Sequence, residues 1–255
     1  NSDALTAVTL TVGRNNQSTV FSGEIRDGGL TGLSLTKVGN GALTLSGALS
    51  YSGDTRVNGG TLNLTGSYAG SVASSYLRFG STPNQSIVNV SGAVDLFSMQ
   101  GADIVGAVSV YNQTAGAVRL FTTANGGNMR VARIGYGYFN LTGGLYQLGA
   151  AGRFINVNGS GSNTGVGVGY VGGTATLNNS SGDSWFINAW SGNAQFTVGP
   201  GGYVNRTGTT GGYYLGIILN SNNAGDAFGA VNIAGGTYDG GADVLRVGNG
   251  GTMFN

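Results

Sequence analysis

Acidic side chains are the first candidates for chemistry in this chain, because paired carboxylates carry out acid–base catalysis on polysaccharides. The ten acids are scattered, and no pair recurs at matching points of the chain's periodic pattern. The sequence has no histidine and no cysteine, which removes the commonest general base and the usual nucleophile triads. We therefore predict a protein that is not an enzyme, with a polysaccharide-active enzyme as the weaker alternative. The acids are Asp3, Glu24, Asp27, Asp54, Asp95, Asp103, Asp183, Asp226, Asp239 and Asp243.

One segment resembles a metal-binding pattern. Residues 235–245 combine glycines with Asp239 and Asp243, as calcium-binding nonapeptide repeats do. Calcium needs six to eight oxygen ligands, and a single imperfect copy does not supply them. The segment is therefore interpreted as an Asp–Gly turn, and we predict neither a metal ion nor a cofactor.

Trp185 and Trp190 are the candidate ligand-binding aromatics. On an outer face they would stack on sugar rings, whereas inside the fold they would pack between neighbouring layers. The packing interpretation is favoured, and glycan contact stays open as the alternative. Arg130 and Arg133 are expected to share one strand face, where they are either solvated or bound to an acidic partner.

Composition narrows the class of protein. The 255 residues include 51 glycines, only two prolines and 8% charged residues, with a net charge of +1. The balance leaves no basic stripe for nucleic acid, and no apolar run is long enough for a transmembrane helix. A hydrophobic content of 40% argues against disorder, and collagen would need far more proline. A β-rich fold with many glycine turns remains.

A short phrase recurs seven times: an apolar residue, Asn, one or two residues, a small residue and Gly. Successive asparagines are 26, 23, 28, 38, 27 and 27 residues apart. A near-constant period of this size indicates a solenoid, in which equivalent asparagines stack as one ladder of hydrogen-bonded amides. The 38-residue interval is interpreted as holding a degenerate copy at residues 155–159. The predicted ladder consists of Asn63, Asn89, Asn112, Asn140, Asn178, Asn205 and Asn232.

Residues 21–66 carry more specific motifs. They contain Lys-x-Gly-x-Gly-x-Leu-x-Leu-x-Gly from Lys37, Tyr-x-Gly-x-Thr from Tyr51, and Asn-Gly-Gly-Thr-Leu from Asn58. This segment resembles the autotransporter-associated β-strand repeat of bacterial autotransporter passenger domains. The resemblance implies an all-β, right-handed parallel β-helix on the bacterial cell surface. Residues 67–255 are similar to looser repeats of the same large proteins.

We expect residues 1–255 to form a single β-helical domain of about nine coils or more, as a fragment or the ordered part of a longer repeat protein. The expected function is that of a secreted structural protein: a surface stalk, an adhesin passenger or a filament subunit. The expected partners are further repeats or head-to-tail copies of the chain, and host or surface glycans. The alternative function is a glycan-binding adhesin.

Overall fold

The chain folds as stacked short strands. The computed structural model describes residues 7–28, 32–70, 75–121, 128–149, 153–158, 165–179, 185–205, 228–240 and 252–254. Within these ranges every regular element is a strand, as expected for an all-β protein. In chain order the strands are β1 (Val8–Val12), β2 (Thr19–Phe21), β3 (Ile25–Arg26), β4 (Leu33–Lys37), β5 (Ala42–Leu45), β6 (Ala48–Ser50), β7 (Thr55–Val57), β8 (Gly60–Leu64), β9 (Ser67–Ala69), β10 (Tyr76–Phe79), β11 (Gln85–Val90), β12 (Ala93–Leu96), β13 (Ser98–Gly101), β14 (Val108–Gln113), β15 (Ala117–Leu120), β16 (Met129–Ala132), β17 (Tyr136–Gln147), β18 (Arg153–Asn158), β19 (Val166–Asn178), β20 (Trp185–Ser191), β21 (Asn193–Val198), β22 (Tyr203–Asn205), β23 (Phe228–Ile233), β24 (Thr237–Asp239) and β25 (Thr252–Phe254).

The strands form two parallel sheets. The first sheet stacks eight strands in the order β1-β4-β7-β10-β13-β16-β18-β20. The second sheet has two columns: the first column runs β2-β5-β8-β11-β14 and the second runs β3-β6-β9-β12-β15. β17 and β19 each pass through both columns, and β21, β23 and β25 continue the first column while β22 and β24 continue the second.

One turn of the chain therefore contributes a strand to the first sheet and then one strand to each column. This is a β-solenoid, and the predicted fold class is confirmed. Eight described strands stack in the first sheet, so the number of turns differs somewhat from the expected nine. Residues 155–158 belong to β18 of the first sheet, which pairs with β16 and β20. The interpretation of residues 155–159 as a degenerate asparagine phrase was therefore wrong.

Alternation along each strand creates the core, since successive side chains of a strand point to opposite faces. Leu62, Val88, Tyr111 and Phe139 occupy one register position on successive turns and are fully buried. The rings of Tyr111 and Phe139 stack with their centres 5.2 Å apart and their planes 7° from parallel. Like side chains thus cover one another along the axis, which excludes water from the interior of the coil.

Candidate functional site

A ladder of asparagine side chains runs along the outer side of the first column. In register, Asn63, Asn89, Asn112 and Asn140 occupy one position on β8, β11, β14 and β17. The Nδ2 atoms of Asn89, Asn112 and Asn140 each donate a hydrogen bond to the asparagine Oδ1 of the preceding turn. The distances are 2.8, 2.8 and 2.9 Å, respectively. Asn63 begins the ladder by donating to Thr44 Oγ1 at 2.9 Å.

The local sequence explains why these amides face outward. Each ladder asparagine lies between two buried residues, such as Val88 and Val90 around Asn89, so the strand alternation points it away from the core. An amide carries both donors and acceptors, and identical copies at the strand spacing of about 4.8 Å can therefore bond in series. The Nδ2 atoms of Asn89 and Asn140 are engaged in this bonding.

The seven asparagines do not form a single column. Asn178 lies in the second column, opposite Gln147 on one side and Asn205 on the other. Its Nδ2 donates to Gln147 Oε1 at 2.6 Å. Asn232 lies in the first column, where its Nδ2 donates to Thr197 Oγ1 at 3.5 Å. A common axis for Asn178 and Asn205 with the other five is therefore wrong.

Tyr170 and Thr197 stand at the first-column positions that continue from Asn140. Tyr170 follows Asn140 by 30 residues, whereas Asn178 follows it by 38. The long interval was the signal of a change of column. The phrase recurs because strands of both columns combine a buried apolar residue, an outward polar residue and a turn.

In the phrases of Asn63, Asn89 and Asn112, the final glycine lies at the corner between the two columns. A Cβ atom on Gly66, Gly92 or Gly116 would overlap the carbonyl oxygen of Gly47, Gly66 or Gly92, respectively, one turn earlier. Gly66 and Gly92 do not have positive φ, so the requirement there is close approach of the backbone. Successive turns can stack at strand spacing only if this corner carries no side chain.

Lys37 joins two stretches of backbone at the corner that leads into the first column. Its side chain is 1% exposed, and its Nζ donates to Val38 O at 2.9 Å, Gly39 O at 2.9 Å and Gly59 O at 3.1 Å. These bonds use all three ammonium donors and link one turn to the next. Burial lowers the pKa of Lys37 below its ordinary value of 10.5.

Buried tyrosines stabilise the inner side of the second column. The hydroxyls of Tyr51 and Tyr68 both bond to Thr55 Oγ1 of the first sheet, the latter at 3.0 Å. Tyr146 donates to Met99 Sδ at 3.4 Å. Burial raises the pKa of Tyr51 to about 12 and raises those of Tyr68 and Tyr146 well above 10.

The tryptophan prediction concerns side chains outside the described residues. Trp185 and Trp190 lie on β20, where Trp185 is opposite Arg153 in the backbone register. Their contact with a glycan stays a prediction. Arg133 follows the end of β16, so it does not share a strand face with Arg130 as expected. Its Nη1 is 3.0 Å from Asp103 Oδ1, which gives it an acidic partner within the chain.

No group of acids that could hold a metal ion is present in the described part of the chain. Asp239, in the segment that resembles calcium-binding repeats, accepts a hydrogen bond from the Tyr203 hydroxyl at 3.1 Å. Residues 241–245, including Asp243, lie outside the described ranges. No helix among the described residues has the length and apolarity needed to cross a membrane.

These features define a parallel β-solenoid whose turns are joined by outward amides, corner glycines and a buried ammonium group. Residues 35–64 match the family model of the passenger-associated-transport-repeat. The match runs from Leu35 within β4 to the end of β8 and includes Lys37, Tyr51 and Thr55. It confirms the resemblance to autotransporter passenger repeats. No curated protein and no solved structure matches the chain. The repeat and the solenoid together fit a secreted or surface-exposed autotransporter passenger.

Proposed function

We propose that the chain is a structural stalk segment of a surface passenger. The observation that carries this proposal is the continuous parallel pairing of the first sheet from β1 to β20. Seven steps between these strands, at about 4.8 Å each, extend the sheet about 34 Å along the axis. A structural role is favoured over catalysis because the residues that recur from turn to turn serve stacking.

The amide ladder supports a role in carrying load along the axis. Pulling two successive turns apart would break the backbone hydrogen bonds of three strands. It would also break the side-chain hydrogen bond between asparagines such as Asn89 and Asn112. These bonds share one direction and would break together. An adhesin or filament presented on such a stalk is held away from the cell envelope.

Surface exposure can be tested by cysteine labelling, because the natural chain contains no cysteine. Val20 is 72% exposed and Val88 is fully buried. We expect a membrane-impermeant maleimide to label Val20→Cys on intact cells producing the protein, and to label Val88→Cys only after denaturation. The cysteine-free protein gives the background. Labelling of Val20→Cys only after lysis would contradict the proposal.

The stalk shape can be tested by a distance between spin labels. Val20 on β2 and Thr197 on β21 are outward positions seven strand steps apart in the first column. The stacked coil predicts a narrow distribution centred at about 34 Å between the labelled backbone positions. A broad distribution, or one centred far below that value, would overturn the stalk.

End-to-end association of copies is a second candidate function. Leu10 and Phe21 face the interior on the first described turn, yet each is 42% exposed. Their partners one turn later, Leu35 and Leu45, are 0% and 1% exposed. A second copy stacked on this turn would bury the two apolar side chains as the next turn does.

Sedimentation of the purified chain tests this association. We expect concentration-dependent assembly that Phe21→Asp abolishes and Val20→Asp on the same strand leaves intact, because Val20 faces outward. Monomeric behaviour of the natural chain at all concentrations would rule out self-stacking and leave the stalk proposal unaffected.

A further inference from the structure

A polar groove lies on the outer face of the first sheet, across β10, β13 and β16. It encloses about 240 Å³ and takes its walls from three successive turns. It is separate from the amide ladder, which lies on the second sheet. The groove is lined by Tyr76, Arg78, Phe97, Ser98, Gln100, Asn128 and Arg130.

The outward register position of this sheet collects positive charge. Arg56, Arg78, Gln100 and Arg130 occupy that position on β7, β10, β13 and β16. Arginines at adjacent turns repel one another at the strand spacing of about 4.8 Å, so stacking alone does not favour them. Asp54 offsets part of this repulsion, since its Oδ2 lies 3.3 Å from Arg56 Nη2 and 3.3 Å from Arg78 Nε.

Arg78 is held in a fixed orientation. Its guanidinium carbon lies 4.5 Å from the centre of the Tyr76 ring, and Tyr76 packs edge-to-face with Phe97 at 5.1 Å. Asp54 engages Arg78 through Nε, and among the described residues neither Nη group of Arg78 has a hydrogen-bond acceptor. A positioned guanidinium with unused donors can bind a carboxylate or sulfate in the bidentate manner.

The neighbouring carboxylate is already engaged by basic and amide groups. Asp103 Oδ1 lies 3.0 Å from Arg133 Nη1 and accepts a hydrogen bond from Gln100 Nε2 at 3.2 Å. The lining itself contains two guanidinium groups and no carboxylate, so its charge is complementary to an anion. Amide and hydroxyl groups beside the arginines add positions for uncharged polar groups of the same ligand.

The backbone of the sheet helps to identify the occupant. β10, β13 and β16 each pair with a strand on both sides, so a peptide cannot bind here by adding a strand. The ligand must instead present its own anionic and hydroxyl groups to side chains. We propose that this groove binds an acidic saccharide, with a carboxylate or sulfate held by Arg78 and Arg130. This binding site goes beyond the stalk function and does not depend on it.

Calorimetry of the purified chain tests the site with oligogalacturonate as the carboxylated probe and a heparin oligosaccharide as the sulfated probe. Methyl-esterified oligogalacturonate is the neutral counterpart, and poly-glutamate is the anionic peptide. We expect at least one acidic saccharide to bind. Affinity should fall about tenfold or more in both Arg78→Gln and Arg130→Gln, because each removes charge-assisted hydrogen bonds.

The control is Arg119→Gln, which removes the same charge from the second sheet, where Arg119 is half exposed and pairs with Asp95 at 3.5 Å. Its affinity should remain within about twofold of the natural chain, because an exposed charge outside the groove contributes little. Asn128→Asp places a negative charge in the groove without removing an arginine, and it should also weaken binding. Binding of neither saccharide would overturn the proposal. Equal binding of the methyl ester or poly-glutamate, or an equal loss in Arg119→Gln, would also overturn it.

Discussion

The two columns of the second sheet differ most on their outer sides. The first column has a continuous series of hydrogen bonds between side-chain amides on its outer side, from Asn63 to Asn140. The second column carries polar outward residues without such a series, and buried tyrosines such as Tyr68 and Tyr146 fix its inner side. Neighbouring strands of one turn are therefore stabilised by different chemistry.

This difference shows how the solenoid tolerates irregular repeats. When Tyr170 replaces the asparagine in the first column, the turn still stacks, because the backbone register continues from β17 to β19 and β21. Corner glycines are common to both columns and recur on successive turns. The corner is therefore essential, whereas each ladder is an added stabilisation.

The largest effect is expected at the corner that joins the columns. In Gly92→Ala the new Cβ would overlap the carbonyl oxygen of Gly66, a backbone atom that cannot move without separating the turns. We expect a loss of more than about 3 kcal/mol in the free energy of unfolding, measured by urea denaturation.

Gly59→Ala is the matched control. Gly59 does not have positive φ, and its added Cβ would lie 3.4 Å from the nearest atom, Gly39 O. Its stability should change by less than about 1 kcal/mol. Equal losses in the two variants would show that glycine content, and not the close approach of the turns, sets the cost.

The corner before the first column depends on Lys37. Lys37→Met keeps most of the side-chain volume but leaves Val38 O, Gly39 O and Gly59 O without their ammonium donor. We expect a loss of about 3 kcal/mol by urea denaturation, since unsatisfied buried acceptors are costly. The adjacent outward substitution Thr36→Val should cost less than about 0.5 kcal/mol. Equal stability of Lys37→Met and the natural chain would refute this role.

The sequence predicted the solenoid and the outward amides because both depend on local alternation. Val88, Asn89 and Val90 specify a strand with two inward positions and one outward position, whatever the neighbouring turn contains. The column in which a phrase lies depends on the length of chain that precedes it, and for this reason Asn178 was misassigned. The groove was missed because Tyr76, Gln100 and Arg130 come from three turns and share no motif.

The buried Tyr51, which directly follows β6 of the second column, should make the protein sensitive to alkali. Burial raises the pKa of Tyr51 from 10.0 to about 12, so between these values the unfolded chain loses a proton that the folded chain keeps. The contribution of Tyr51 to stability is therefore present below about pH 10 and is lost as the pH rises toward 12. Tyr51 alone contributes about 2 kcal/mol to this loss by pH 12.

Comparison with Tyr51→Phe isolates this contribution. Burial lowers the pKa of Lys37, which acts in the opposite direction, but Lys37 is present in both proteins and its effect cancels. Urea midpoints at pH 8, 10 and 11.5 should converge as the natural chain loses the advantage of its Thr55 hydrogen bond. Parallel curves for the two proteins would show that Tyr51 ionises equally in both states.

The smallest effect is the most direct test of the comparison between columns. Asn89 forms side-chain hydrogen bonds with the asparagines of both neighbouring turns. Asn89→Ala removes both hydrogen bonds, and the two half-buried partners must then bond to water. We expect a loss of about 1–2 kcal/mol.

Asn205 has a buried Oδ1 without a hydrogen-bond partner among the described residues. Asn205→Ala should change stability by less than about 0.5 kcal/mol, because removing an unsatisfied buried group offsets the loss of packing. Urea denaturation of both variants measures the difference, and equal costs would mean that an amide contributes through its position on the strand and not through the ladder.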